Sequence, residues 1–230
     1  LTNLLTNLMA LPTPILITNF KAYKESLGEN AINLAKLHQR IADEMGVNLA
    51  ICGMILDLEN LASAVTIPVL SQHIDGVSYG AHTGLIPVDI AHSFGIDGSI
   101  LNHSERRLSD AEIVRALTQM KAFNMLSIVC AENNEEGYKF AQMGADFIAV
   151  EPPDLIGGNI SVSTARPELI VEAVAKIGPG KVIVGAGIKT GEDVRIALGL
   201  GAVGVLVASG VIKAVDQELA LRDLASGLKG

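Results

Sequence analysis

The chain has 230 residues, 49% hydrophobic, 18% charged and 3% aromatic, with no tryptophan, and a mean hydropathy of +0.40; it can bury a large core and is not a disordered protein. Seventeen Lys+Arg against 25 Asp+Glu leave a net charge of −8, which argues against a nucleic-acid binder built on a basic face. A small anionic substrate stays open, because backbone N–H groups and one lysine can hold a phosphate.

Residues 1–14 read as an N-terminal extension. Leu1, Leu4, Leu5, Leu8 and Met9 have near-helical spacing, so a short helix is one reading; upstream sequence before a natural start at Met9 is the other. With no basic residue ahead of it, the extension is a poor signal peptide. No run reaches about 18 apolar residues, so no membrane span is expected. Cys52 and Cys130 follow strand-like runs without CxxC spacing, which predicts reduced, buried thiols, a cytoplasmic protein and no metal cluster.

From residue 15 to 230 the chain reads as one domain in which short apolar runs alternate with helical patterns. Ile15–Phe20 opens as a strand and Ser26–Met45 follows as a helix. Val47–Cys52 precedes a short helix at Leu58–Val65, and Val69–His73 precedes another at Val88–Phe94. Gly98–Asn102 leads to the helix Ser109–Ala122, which opens with Ser109 and Glu112 at capping-box spacing. Met125–Cys130 leads to Asn133–Met143, Asp146–Val150 to Arg166–Ile177, and Lys181–Val184 to Glu192–Leu198. Val203–Val207 leads to one long helix, Gly210–Leu228. The strands lack clean alternation, as parallel strands buried on both faces do. Eight strand–helix units of about 30 residues each suit an α/β fold closed as an eight-stranded parallel (β/α) barrel. The alternative, an open doubly wound sheet, normally carries a glycine fingerprint after its first strand. Here that turn is Asn19-Phe20-Lys21-Ala22-Tyr23.

A barrel of this kind works at the C-terminal ends of its strands. Asn19 and Lys21 end the first strand, and Asn102 to Arg106 the fourth. Glu151, ending the sixth, is the clearest base candidate, since desolvation strengthens a carboxylate base; a structural carboxylate is the plain alternative. His103 could donate to a carbonyl as a neutral imidazole, which a helix N-terminus would favour if a short helix starts there; a histidine satisfied by local backbone is the plain alternative. The other four histidines, His38, His73, His82 and His92, read as structural or surface. Lys21 can meet a phosphate or a developing enediolate. The small turns Gly185-Ala186-Gly187 and Ala208-Ser209-Gly210 permit close backbone approach to an anion. The segment from Pro152 to Gly158 reads as a lid, proline-stiffened at one end and glycine-freed at the other.

Seven segments in order carry a family resemblance: Asn19-Phe20-Lys21; Gly80-Ala81-His82-Thr83-Gly84; Asn102-His103-Ser104-Glu105-Arg106-Arg107; Val129-Cys130-Ala131-Glu132; Ala149-Val150-Glu151-Pro152-Pro153; Gly185-Ala186-Gly187-Ile188; and Leu206-Val207-Ala208-Ser209. Together they resemble the triosephosphate isomerases, particularly the short archaeal-type form. The resemblance implies a TIM barrel that interconverts dihydroxyacetone phosphate and D-glyceraldehyde 3-phosphate, a step of glycolysis and gluconeogenesis, through an enediolate and without a cofactor. It implies that Glu151 moves the proton, His103 polarises the carbonyl, Lys21 stabilises negative charge and Asn19 orients the substrate oxygens. Ile156, Gly157, Gly187, Ala208 and Ser209 match phosphate-contacting segments, and Glu105 matches the acid that positions the lysine. It also implies a homo-oligomer, dimer or tetramer, with Thr83 reaching a neighbouring subunit's site, and neither nucleic-acid nor membrane partners. Three departures stand out: Gly158-Asn159 in the lid, Cys52-Gly53 after the second strand, and the long N-terminal extension. Another sugar-phosphate isomerase or lyase on the same barrel, or a binding barrel without turnover, are the competing readings.

Overall fold

Main-chain pairing along β1 (Ile15–Asn19) sets the architecture in a computed structural model, which describes residues 11–151 and 166–229. Ile15 to Thr18 pair in parallel with β2 (Asn48–Gly53) on one edge and with β8 (Gly204–Val207) on the other. Between them run β3 (Val69–Ser71), β4 (Gly98–Leu101), β5 (Leu126–Ala131), β6 (Phe147–Val150) and β7 (Val182–Val184), in sequence order around a closed ring. The open sheet is therefore excluded. All eight expected strands are present, with ends within two residues of those read from sequence.

Strand side chains alternate between two apolar layers. Ile15, Ile17, Cys52, Ile128, Cys130 and Ala149 belong to a cluster inside the ring, which Leu11 joins from below. Leu16, Leu49, Val129, Ile148, Val150 and Val205 belong to a second cluster shared with the surrounding helices. Burial on both faces is why the strands read as continuous apolar runs. The inward parity runs on to the groups at the mouth: Asn19, the last residue of β1, continues Ile15 and Ile17, and Glu151, one past the end of β6, continues Ala149.

Among the described residues the helices are α1 (Glu29–Met45), α2 (Leu58–Ala64), α3 (Val88–Ser93), α4 (Asp110–Ala122), α5 (Asn134–Gln142), α6 (Pro167–Ile177), α7 (Gly191–Gly199), α8 (Ser209–Ile212) and α9 (Gln217–Ser226). Ser109 and Glu112 form the expected reciprocal cap on α4. Helix α1 starts later than expected, because Lys24–Ser26 is a separate 3-10 turn and Gly28 at φ 58° divides the two.

The long helix expected over Gly210–Leu228 is three pieces: α8, α9 and a 3-10 turn at Gly227–Lys229. Side chains explain the break. Asp216 caps α9 by accepting from the Leu219 N–H at 2.9 Å, and the Gln217 amide donates to the Ile212 carbonyl at 2.8 Å. Each satisfies a helix-end group that a continuous helix would have satisfied itself.

On α1, His38 is fully buried. Its Nδ1 lies 2.8 Å from the Leu34 carbonyl and its Nε2 lies 2.8 Å from the Thr18 hydroxyl. A carbonyl only accepts, so Nδ1 donates and the neutral ring accepts at Nε2. Burial pushes the His38 pKa down to about 4. The folded state thus resists a proton that the unfolded chain accepts near pH 6.5, and stability falls as pH drops from there towards 4. Wild type should lose on the order of 3 kcal/mol across that window relative to His38→Gln. Denaturant unfolding of both proteins at several pH values measures this; parallel pH profiles would contradict it.

Candidate active site

At the C-terminal ends of the strands lies a cavity of about 740 Å³ whose lining includes Asn19, Lys21, His103, Glu105, Glu151, Gly185, Gly187, Ala208 and Ser209. These residues come from five widely separated parts of the chain, and ring closure brings them together. Ile156, Gly157 and the expected lid from Pro152 to Gly158, with Asn159, lie outside the described residues.

Lys21 reaches the cavity through a left-handed backbone turn at φ 50°. Asn19 Oδ1 accepts from the Lys21 N–H at 3.0 Å, and the Gln72 amide donates to the Lys21 carbonyl at 3.0 Å. Those two side chains hold a conformation that lysine rarely adopts unaided. The Lys21 ammonium donates to Glu105 at 2.8 Å.

After β4 a second left-handed residue, Asn102 at φ 58°, turns the chain. Its amide donates to the Cys130 carbonyl at 3.0 Å and its Oδ1 accepts from the Leu108 N–H at 2.8 Å. The next residue, His103, is delivered into the cavity. No helix begins there, contrary to expectation; residues 103–106 form a turn closed by the Arg106 N–H on the His103 carbonyl at 2.8 Å. The imidazole is held neutral by other means. Its pKa is lowered chiefly by burial and next by the Lys21 charge, with Glu105 opposing. The Glu105 N–H donates to His103 Nδ1 at 3.1 Å. An Nδ1 that accepts leaves the proton on Nε2. That Nε2 lies 3.8 Å from Glu151 Oε1.

Glu151 follows β6, with its N–H on the Ala131 carbonyl at 2.8 Å and its side chain only 6% exposed. Burial raises its pKa to about 7, opposed by a hydrogen bond from the Cys130 thiol and by the Lys21 charge. Burial likewise pushes the Cys130 thiol well above its ordinary range, so it remains a donor. Gly185 makes room for the carboxylate: a Cβ there would lie 2.5 Å from Glu151 Cγ and 2.9 Å from Oε1. Sequence reading missed the parts played by Cys130, Gln72 and this steric aspect of Gly185. The inward parity of Cys130 after Leu126 and Ile128 was the available signal for the first.

On the β7 and β8 side, Gly187 turns at φ 71° and α8 begins at Ser209. The first N–H groups of a helix have no partner within it. Small residues from these two turns line the cavity on the β7 and β8 side. This arrangement can take an anion at one end and exchange a carbon-bound proton at the other. Among the described residues no group of three His, Cys, Asp or Glu could hold a metal ion, and no helix is long and apolar enough to cross a membrane.

The family model described as triosephosphate isomerase matches residues 14–225. Over 218 residues, 93% of this chain and 95% of the relative, the chain is 49% identical to the triosephosphate isomerase of Methanothermobacter thermautotrophicus. It is 46% identical to that of Methanothermus fervidus over 92% of this chain and 97% of the relative. With that of Archaeoglobus fulgidus the identity is 44%, over 91% and 96% respectively.

Gly185→Ala should displace the Glu151 carboxylate towards solvent and lower its pKa from about 7 towards the ordinary carboxylate range. Carboxyl-carbon NMR titration of glutamate-labelled protein measures the change; an unaltered Glu151 titration would contradict the steric argument.

Proposed function

The chain belongs to the triosephosphate isomerase family and interconverts dihydroxyacetone phosphate and D-glyceraldehyde 3-phosphate, and we propose that the cavity described above performs this reaction with Glu151 as base and His103 as acid. One observation carries the assignment: a desolvated carboxylate with a pKa of about 7 stands 3.8 Å from the Nε2 of a neutral imidazole.

Glu151 takes the proton from the carbon beside the substrate carbonyl and returns it to the adjacent carbon. Meanwhile His103 donates from Nε2 to the oxygen on which negative charge develops. Lys21 stabilises that charge, Asn19 orients the substrate oxygens, and Glu105 holds Lys21 at 2.8 Å. Gly187, Ala208 and Ser209 receive the phosphate, joined by Ile156 and Gly157. A general base contributes about 10²–10⁴-fold, so stabilisation of the enediolate must supply much of the remainder. Binding of the unreacting phosphate can position the three-carbon chain without entering the chemistry.

The proposal extends to assembly. Thr83 is exposed near the tip of a loop between β3 and α3. Two carboxylates fasten that loop: Asp75 accepts from the Ile86 N–H at 2.7 Å, and Asp89 from the Ser78 hydroxyl at 2.5 Å and the Tyr79 N–H at 2.8 Å. Tyr79 and Leu85 are left exposed on it. Beside Lys21 and His103 a pocket of about 290 Å³, lined in part by Met54, Ile55 and Gln72, offers such a loop a place on a second copy. Exposed apolar groups at both places favour a homo-oligomer, dimer or tetramer. The free, buried cysteines suit a cytoplasmic setting.

Glu151→Gln should lower turnover in a coupled isomerase assay by about 10²–10⁴-fold. Because a raised carboxylate pKa means stability lost as pH climbs from about 4.5 through about 7, the same variant should be more stable than wild type at pH 8, by on the order of 3 kcal/mol. His103→Gln should lower kcat more than phosphate affinity. A Glu151→Gln protein that keeps turnover would remove the assigned base.

Sedimentation equilibrium should give a mass above the 24.1 kDa of one chain, and Thr83→Arg should reduce both mass and activity. A fully active single chain would reject the role of the loop.

A further inference from the structure

The break between α8 and α9 places Lys213 at the rim of the same cavity. Its main-chain N–H closes α8 on the Ser209 carbonyl at 3.0 Å. Its ammonium stands 4.2 Å from the centroid of the Tyr23 ring, which packs against the core at the end of the first strand's loop. Both residues line the cavity. The position thus lies beside Ser209, where the phosphate is assigned.

Electrostatics give the position a task. The chain carries a net charge of −8, and a phosphate monoester bears about −1.5 to −2 at neutral pH, so the protein as a whole repels its substrate. Inside the cavity Glu105 and Glu151 add to that repulsion. Lys21 is tied to Glu105 at 2.8 Å, and the carboxylate offsets most of its field at a distance. The Lys213 ammonium rests instead on an aromatic face. Such a contact holds a cation through the ring quadrupole and leaves its full charge to act on an approaching anion. The ring also restrains a long side chain that would otherwise sample many rotamers, so less ordering remains to be done on binding.

We propose that Lys213 is a further substrate-binding residue, a capture site for the phosphate dianion at the cavity rim, held ready by the Tyr23 ring. This rests on the reading of the cavity as the triose phosphate site. Lys213 draws the phosphate towards Ser209 and Gly210, which line the same cavity, and takes no part in the proton transfer. Its contribution is charge at the entrance, so it is screened by salt in the way of exposed charges.

The test uses Lys213→Met, which keeps an apolar stem of similar reach, and Lys213→Arg, which keeps the charge. Steady-state kinetics and calorimetric titration with inorganic phosphate are run between about 0.01 M and about 0.15 M ionic strength, where the screening length shrinks from about 30 Å to about 8 Å. At low salt Lys213→Met should weaken phosphate binding and raise KM roughly threefold to tenfold, with kcat unchanged. The difference should fade as salt rises, and Lys213→Arg should restore most of it. Unchanged phosphate affinity in Lys213→Met overturns the proposal. So does a loss that is equal at all salt concentrations, or one that falls on kcat. Phosphate binding is read independently of turnover, so a wild-type protein that binds phosphate but fails to isomerise would overturn the reading of the site rather than the role of Lys213.

Discussion

Everything at the mouth of the barrel depends on β1 being bonded along both edges, to β2 and to β8. An open sheet would leave the first and last strands far apart, and Lys21 and Tyr23 with one while Ser209 and Lys213 went with the other. Closure makes them neighbours in one cavity. It also gives each strand two buried faces, so the ring is rigid below while its upper residues remain free to vary. The side chains proposed for the chemistry stand at the last paired residue or one or two positions beyond it, close enough to the packed layer to be held and far enough to meet a ligand.

Those side chains are arranged at some expense to the fold. A carboxylate 6% exposed is held where water would otherwise solvate it, and two residues, Lys21 and Asn102, have left-handed backbones. The surroundings over-determine each departure. Asn19 and Gln72 grip the peptide of Lys21 from both sides, and Asn102 spends its own amide on Cys130 and Leu108. Desolvation that weakens the fold is the same effect that raises the Glu151 pKa to about 7 and suits it to the proposed role of base.

The sequence disclosed the strands and the groups at their ends, because both leave local signals. Apolar runs of four to six residues bounded by turn residues mark the ring, and Asn19, Lys21, His103 and Glu151 fall just past such runs. What escaped was set by contacts across the chain. The cause of the neutral His103 lies in burial, in Lys21 and in the Glu105 N–H, none of which a helix start after residue 103 would have revealed. The break in the last helix depends on Asp216 and Gln217 serving as caps, and periodicity alone continues through them. Gly185 looked like a place for an anion to approach the main chain; the nearest group to its missing Cβ is instead the side chain of Glu151.

Glu105 serves two neighbours with different parts of itself. Its peptide nitrogen fixes which ring nitrogen of His103 bears hydrogen, and its carboxylate anchors Lys21. Only the second depends on which amino acid occupies the position. Drift at 105 would therefore loosen the cation while the tautomer persists, provided that proline, which lacks an amide hydrogen, is avoided. One codon thus answers to two separate selective demands, one strict about the backbone alone and the other about the side group.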